Sequence, residues 1–177
     1  MLKLLSKLHK DRKNVCIYFS SDDTTKFIYG QILAVNENYI AIYMISPDGC
    51  SDGILLKKTD TIIRVELEGQ YSKKMEMLTL IDPSEMLNYS FEENIVKSML
   101  LIAQVSRNII SIELIDSGYD DIIGFVCNID NDILKIEQID EYGYNDGYSY
   151  INISDITQIS YNSQDEKRIF KLWQLRQ

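Results

Sequence analysis

The sequence contains few of the residues that build catalytic or metal sites. Among its 177 residues are one histidine, His9, and three cysteines, Cys16, Cys50 and Cys127. A single histidine excludes a His-based nucleophile relay and a histidine-rich metal site, and the cysteines lack the C-x-x-C spacing of zinc or redox centres. Cysteines that are odd in number indicate a reducing compartment, so we expect a cytoplasmic protein with buried or half-buried thiols and a solvated His9.

Other signatures of enzymes and cofactor sites are also missing. The sequence has no P-loop, no G-x-G-x-x-G and no G-x-S-x-G motif. Asp130 and Asp132 resemble the start of a calcium loop, but Lys135 stands where such a loop needs its glycine. We therefore expect a protein that is not an enzyme and that has no cofactor and no metal site.

Long hydrophobic runs are absent as well. Continuous apolar stretches are short, such as 99–103, and lysines interrupt the leucines of residues 1–13. A membrane-spanning helix needs about 20 apolar residues, so we expect no membrane partner.

Positive charge is scarce in the second half of the chain. Residues 1–82 carry 11 basic and 11 acidic side chains, whereas residues 83–177 carry 7 basic and 16 acidic ones. An acidic surface repels phosphate backbones and attracts basic partners, although acidity also serves solubility alone.

The chain contains an internal repeat. Gly30, Gly49 and Asp52-Gly53 recur as Gly124, Gly143 and Asp146-Gly147, each displaced by the same 94 residues. Apolar positions between these marks also coincide, and self-similarity at one fixed spacing indicates duplicated structural units. We therefore predict two domains, 1–82 and 83–177.

Each copy is predicted to begin and end with a helix. Leu2, Leu5 and Leu8 form an apolar stripe in the first copy, which we expect to pack on its own domain rather than on a membrane or a partner helix. In the second copy, the leading helix is expected within 83–105, with Ser90 and Glu93 as a capping box. Short helices are expected at 70–80 and 165–175, the latter anchored by the only tryptophan, Trp173.

Between the helices, period-two alternation predicts about five short strands in each copy. Polar triplets at 36–38 and 130–132 are typical of tight turns. The pairs Asp52-Gly53 and Asp146-Gly147 lie between strand-like runs and predict hairpin turns.

One helix followed by five short, bent strands resembles the Sm-like fold, a small barrel of the SH3-like kind. Its first motif, a glycine followed by apolar residues two and five positions later and then an acidic or amide turn, is similar to Gly30 to Asn36 and to Gly124 to Asp130. Its second motif resembles the runs 53–65 and 147–159. The resemblance implies two tandem Sm-like, five-stranded barrels in a mainly β protein.

The resemblance also implies RNA binding in an oligomeric ring, but the residues at the contact positions differ. The base-clasping asparagine of the family corresponds to Ile40 and Leu134, and its Arg-Gly pair corresponds to 58–59 and 152–153. Only Lys58, beside Lys57, supplies a cation there. Since RNA binding depends on cations and stacking, RNA binding through Lys57 and Lys58 is the alternative hypothesis.

The second copy carries tyrosines beside carboxylates, a combination that suits a protein interface, although strand propensity alone also favours tyrosine. The predicted contact residues are Asp140, Glu141, Tyr142, Tyr144, Asp146 and Tyr148, with Tyr150 as a further tyrosine of the segment. The leading hypothesis is a binding protein for a basic protein, of the immunity or antitoxin type or an adaptor. The sequence leaves open whether the chain is a monomer or a small homo-oligomer.

Overall fold

The computed structural model describes residues 1–19, 23, 25–79, 86, 88–115 and 122–177. The chain divides into two compact units, Met1–Ile95 and Val96–Gln177. The boundary predicted between residues 82 and 83 lies outside the described residues.

The described residues form ten strands and four α-helices, so the protein is mainly β. The first elements are α1 (Leu2–Lys10), β1 (Asn14–Phe19), β2 (Ile28–Val35), β3 (Tyr39–Ile45), β4 (Ser51–Lys58), β5 (Ile62–Glu66) and α2 (Gln70–Leu78). They are followed by α3 (Ile95–Ser106), β6 (Ile109–Leu114), β7 (Ile122–Asp130), β8 (Ile133–Ile139), β9 (Asn145–Asn152), β10 (Ile156–Tyr161) and α4 (Gln164–Gln174). The bounds of β3 and β8, and of β4 and β9, differ by the 94 residues of the repeat.

Each unit contains a five-stranded antiparallel sheet. The strand order is β5-β1-β2-β3-β4 in the first unit and β10-β6-β7-β8-β9 in the second. Among the described residues no pairing joins β4 to β5 or β9 to β10, so each sheet is open and is not closed into the barrel that the resemblance implies. The reason is local: a three-residue 3-10 turn, Thr59–Thr61, redirects the chain after β4, and β5 then pairs with β1.

The first helix packs on its own unit, as predicted. Leu5 and Leu8 are 0% and 6% exposed and join the core formed with Val15, Ile17 and Ile42. Burying a leucine side chain contributes roughly 1.5–3 kcal/mol, which explains the spacing of the leucines.

The expectation of a solvated His9 is wrong. His9 is half-buried, and its Nδ1 lies 2.8 Å from the Ile32 carbonyl oxygen. A carbonyl oxygen can only accept a hydrogen bond, so Nδ1 is the donor and ties α1 to β2.

The repeated glycines of β2 and β7 allow two strands to approach closely. A Cβ atom on Gly30 would overlap the Tyr43 carbonyl oxygen of β3, and one on Gly124 would overlap the Glu137 carbonyl oxygen of β8. The first motif of each copy is therefore explained by strand packing.

The Asp-Gly pairs do not form the hairpin turns that the sequence predicts. Asp52-Gly53 lies within β4, where Ile45 pairs with Ser51 and Tyr43 with Ile54, so the pair forms an irregularity in the ladder. The hairpin turn precedes it at Gly49, which has φ +79°, a conformation that favours glycine. Asp146-Gly147 is likewise within β9, after a turn at Gly143.

Two further expectations need correction. The predicted capping box of Ser90 and Glu93 is wrong. Helix α3 begins at Ile95, so Asn94 is the residue that immediately precedes its first turn. Among the three thiols, only that of Cys16 is buried. Cys50 follows the turn before β4 and Cys127 lies in β7, and both side chains are exposed to solvent. Within the described part of the chain, the helices are too short or too polar to cross a bilayer.

Candidate protein interface

Four tyrosines of the second unit lie on the surface in one continuous segment. Tyr142 and Tyr144 belong to the turn between β8 and β9, and Tyr148 and Tyr150 belong to β9. The exposed fractions of their side chains are 60%, 53%, 57% and 68%, respectively. We call these four residues the tyrosine surface.

Residues two positions apart on a strand share one face of the sheet, so the rings of Tyr148 and Tyr150 emerge side by side. The alternate residue Ile151 is buried and turns toward the core. Exposed aromatic rings offer large contact areas at little entropic cost, which is why tyrosine is enriched in binding surfaces. Tyr150, absent from the predicted contact set, has the largest exposed fraction of the four.

The corresponding positions of the first repeat, on β4, are buried. Ile54 and Leu56 occupy the positions that correspond to Tyr148 and Tyr150, and both are 0% exposed. Position and strand geometry are therefore shared by the two copies, whereas the residue type and its exposure differ. Tyr148 and Tyr150 are therefore exposed at positions of β9 whose counterparts on β4 are buried.

Asp140 has a structural role within the turn. One of its carboxylate oxygens accepts the backbone N–H groups of Tyr142 and Tyr144, at 3.0 and 2.8 Å. The Asp140 backbone N–H donates to the Tyr144 carbonyl at 2.9 Å. Asp140 thus holds the turn that presents Tyr142 and Tyr144, and it is the least accessible of the predicted contact carboxylates.

Glu141 and Asp146 are exposed and flank the tyrosines. A hydrogen bond to Glu141, together with the negative charge of that residue, raises the pKa of the Tyr142 hydroxyl above its ordinary value. Tyr142 therefore remains a neutral hydrogen-bond donor at physiological pH. These two carboxylates are the ones that can meet a cation on a partner.

Two cations that the sequence analysis did not select lie over the tyrosine rings. The Lys135 Nζ of β8 lies 4.3 Å from the centre of the Tyr148 ring and 5.7 Å from that of Tyr150. The Arg176 guanidinium lies 4.2 Å from the centre of the Tyr144 ring, and its Nε donates to the Tyr142 carbonyl at 2.9 Å. Cross-strand register places Lys135 opposite Tyr150, a relation that requires knowing which strands pair.

Helix α4 supports the turn from beneath. Trp173 is half-buried, and its ring centre lies 4.8 Å from that of Phe125 on β7 and 5.6 Å from that of Phe170. A Cβ on Gly143 would come within 2.6 Å of the Leu172 and Trp173 backbone, so the glycine lets the turn rest on α4. Trp173 is an anchor between helix and sheet, as predicted.

Lys57 and Lys58, the cations of the alternative RNA hypothesis, lie in the first unit. Ile40 and Leu134, at the base-clasping positions of the resemblance, are each 0% exposed and belong to the core. Lys57 and Lys58 end β4 and are half-buried, and the Lys57 Nζ lies 5.7 Å from the centre of the Phe19 ring. Lys58 shares a shallow surface depression with Glu37 and Asp60, whose negative charge opposes phosphate.

Across the described residues, no three His, Cys, Asp or Glu side chains are grouped so that they could hold a metal ion. Comparisons of the chain with models of known protein families, with curated proteins and with solved structures find no match.

Proposed function

We propose that this chain is a non-enzymatic binding protein, made of two tandem Sm-like domains, whose second domain presents the tyrosine surface to a basic protein. Inhibition of a basic toxin, as by an immunity or antitoxin protein, and an adaptor role both fit this activity. Support for the Sm-like part is the helix that leads into five antiparallel strands in each unit and the glycine motif of β2 and β7.

The observation that carries the proposal is the exposure of Tyr148 and Tyr150. At these positions the first repeat buries Ile54 and Leu56 completely. Tyrosine suits a surface that is covered only part of the time, because its ring supplies apolar area while its hydroxyl remains compatible with water.

Electrostatics favour a basic partner. Residues 96–177 carry 13 acidic and 7 basic side chains, and Glu141 and Asp146 are exposed beside the rings. Carboxylates at the rim of an interface steer a positively charged partner toward it and raise the association rate. Lys135 and Arg176 keep their positive charges where they lie over the tyrosine rings, and Glu141 and Asp146 supply the exposed negative charge beside them.

RNA binding is less well supported by these features. The carboxylates around the tyrosine surface repel phosphate, and the two positions that should clasp a base are buried aliphatic residues. Lys58 is the only cation at a contact position of the resemblance, and Lys57 lies beside it. RNA binding is therefore the alternative that the experiment must exclude.

The test is affinity capture from lysate of the native host, with and without nuclease treatment. Glu141→Lys/Asp146→Lys reverses the two exposed carboxylates and leaves Asp140, which holds the turn, in place. The matched control, Asp48→Lys/Glu76→Lys, makes the same charge change at exposed positions of the first unit. We expect a protein partner that survives nuclease treatment, is retained by the control and is recovered at least about tenfold less by the reversed variant.

Equal capture by the reversed variant and the parent would contradict the proposal. Capture that disappears after nuclease treatment and in Lys57→Ala/Lys58→Ala would instead establish the RNA alternative. Circular dichroism of each variant verifies that the fold is retained.

A further inference from the structure

The backbone of β9 has a definite orientation. The Ile153 N–H donates to the Asp132 carbonyl at 2.8 Å, at the end of the ladder between β8 and β9. In an antiparallel ladder, hydrogen-bonded pairs alternate with pairs that direct their N–H and C=O groups away from each other. Following the register from Ile153, Ile151 and Ser149 bond toward β8.

The tyrosines fall on the other set of positions. Tyr148, Tyr150 and Asn152 pair with Glu137, Lys135 and Ile133, so their N–H and C=O groups point away from β8. Within the described residues β9 is the last strand of its sheet and pairs with β8 alone. The positions that expose the two rings therefore also direct backbone donors and acceptors toward the open edge.

Negative charge lies at both ends of this edge. Glu141 and Asp146 are near the start of β9, and Asp132 and Asp155 are near its end, all of them exposed; Asp132 also pairs with Lys97 at 3.5 Å. The middle of the edge has the apolar area of the Tyr148 and Tyr150 rings, and the positive charge of Lys135 over these rings disfavours a second cation there. An extended segment with aliphatic residues in its centre and cations toward its ends would complement this pattern.

We propose that the outer edge of β9 binds an extended, basic segment of the partner protein as an additional β-strand. This inference rests on the proposed function and specifies how the partner is held. Backbone hydrogen bonds to Tyr148, Tyr150 and Asn152 supply affinity that does not depend on sequence, as in other cases of strand addition. The tyrosine rings and the carboxylates at the two ends of β9 determine which side chains of the segment are favoured.

The probe is a synthetic nine-residue peptide with lysines at both ends and valines in its centre, and the control is the same peptide with glutamates in place of the lysines. Amide hydrogen exchange is followed by NMR on the whole chain. Without peptide, we expect slow exchange at Ser149 and Ile151 and fast exchange at Tyr148 and Tyr150. At saturation with the lysine peptide, exchange at Tyr148 and Tyr150 should slow by about tenfold or more, because their N–H groups become hydrogen-bonded.

A pair of variants isolates the backbone contribution. Asn152 has φ −70°, which matches a proline ring, and its N–H points away from β8, so Asn152→Pro removes one edge donor without disturbing the ladder. Asn152→Ala is the matched control, since it also loses the side-chain bond to Asp155 but keeps the N–H. We expect peptide affinity to fall several-fold in Asn152→Pro relative to Asn152→Ala.

Three results would overturn strand addition: no binding of the lysine peptide, binding without slower exchange at Tyr148 and Tyr150, or equal binding of the glutamate peptide. If exchange at these residues slows when the protein concentration is raised without peptide, a second copy of the chain binds the edge, and the proposal is also contradicted. If Glu141→Lys/Asp146→Lys still reduces capture of the partner in these cases, strand addition is wrong but the proposed function is retained. If this variant captures as much partner as the parent, the proposed function is wrong as well.

Discussion

Asp140, Glu141 and Asp146 lie within seven residues of one another but have different surroundings. Asp140 accepts two backbone N–H groups and shapes the turn, whereas Glu141 and Asp146 are exposed. The sequence identified all three as contact residues because each is a carboxylate in the segment that carries the tyrosines. Their separation into one structural and two accessible carboxylates follows from how the turn folds, which no residue pattern specifies.

The thiols give a prediction at the residue scale. Cys16 is 2% exposed, and burial raises the pKa of its thiol, with a further contribution from the charge of Glu66, whereas Cys50 and Cys127 are exposed. A raised pKa reduces the thiolate fraction, and the thiolate is the reactive form. We expect Ellman's reagent to modify Cys50 and Cys127 rapidly at neutral pH and Cys16 only after denaturation.

Absorbance at increasing times, followed by peptide mass spectrometry, measures this order. Rapid modification of all three thiols in the native protein would show that the core around Cys16 is open.

At the scale of elements, the same short pattern has two outcomes. Ser-x-x-Glu occurs at Ser90 to Glu93 and at Ser163 to Glu166. The first precedes α3 by several residues, whereas the second forms a capping box at the start of α4. What distinguishes them is the tertiary contact of Glu166, which is buried and also accepts the Ser111 hydroxyl of β6 at 2.7 Å.

Glu166 is accordingly predicted to be important for stability. Glu166→Ala removes the acceptor for the Ser163 backbone N–H, at 2.8 Å, and leaves the buried Ser111 hydroxyl without its carboxylate partner. We expect the free energy of unfolding to fall by about 2 kcal/mol, as measured by urea denaturation. Glu166→Gln, which keeps an acceptor oxygen, should lose less.

The control is the adjacent carboxylate of the same helix turn. Asp165 is 75% exposed and pairs with Arg168 on the surface, so Asp165→Ala should change the free energy of unfolding by less than about 1 kcal/mol. Similar losses for Asp165→Ala and Glu166→Ala would mean that the contact with Ser111 contributes nothing.

At the scale of the whole molecule, the two repeats use equivalent strands differently. Positions 54 and 56 of β4 are aliphatic and buried, and positions 148 and 150 of β9 are tyrosines and exposed. Exposed edge strands promote aggregation when they are flat and hydrophobic, and charged or polar residues reduce that tendency. The hydroxyl groups of Tyr148 and Tyr150 and the carboxylates at the ends of β9 fit this requirement.

This difference predicts the association state of a variant. Tyr148→Ile/Tyr150→Leu gives β9 the residues of β4, and we expect self-association that increases with concentration, because an aliphatic edge is then exposed. Tyr148→Ser/Tyr150→Ser is the control that removes the rings without adding aliphatic surface. Multi-angle light scattering measures the mass of both variants and of the parent.

Equal masses for the aliphatic variant, the serine control and the parent at every concentration would contradict the prediction. Circular dichroism should remain that of the parent in both variants, since positions 148 and 150 are exposed.

Much of the architecture can be predicted from the sequence because the local patterns that indicate helices and strands occur in both copies of the repeat. The leucines of α1, the alternation in the strands and the helices at 70–78 and 164–174 are local patterns, and local periodicity is sufficient to predict them. The hairpin turns predicted at the Asp-Gly pairs are wrong because a positive φ suits both a hairpin turn and a ladder irregularity. Their outcome depends on which residues of β3 and β8 lie opposite.

The sequence by itself determined the duplication, the mainly β composition and the acidic second half, because these are properties of residue order and composition. Only the tertiary structure decided that each sheet is open, that Tyr148 and Tyr150 are exposed where Ile54 and Leu56 are buried, and that Lys135 lies over the rings. The physical reason is that strand pairing and burial join residues distant in sequence, and one pattern on a strand is compatible with either exposure.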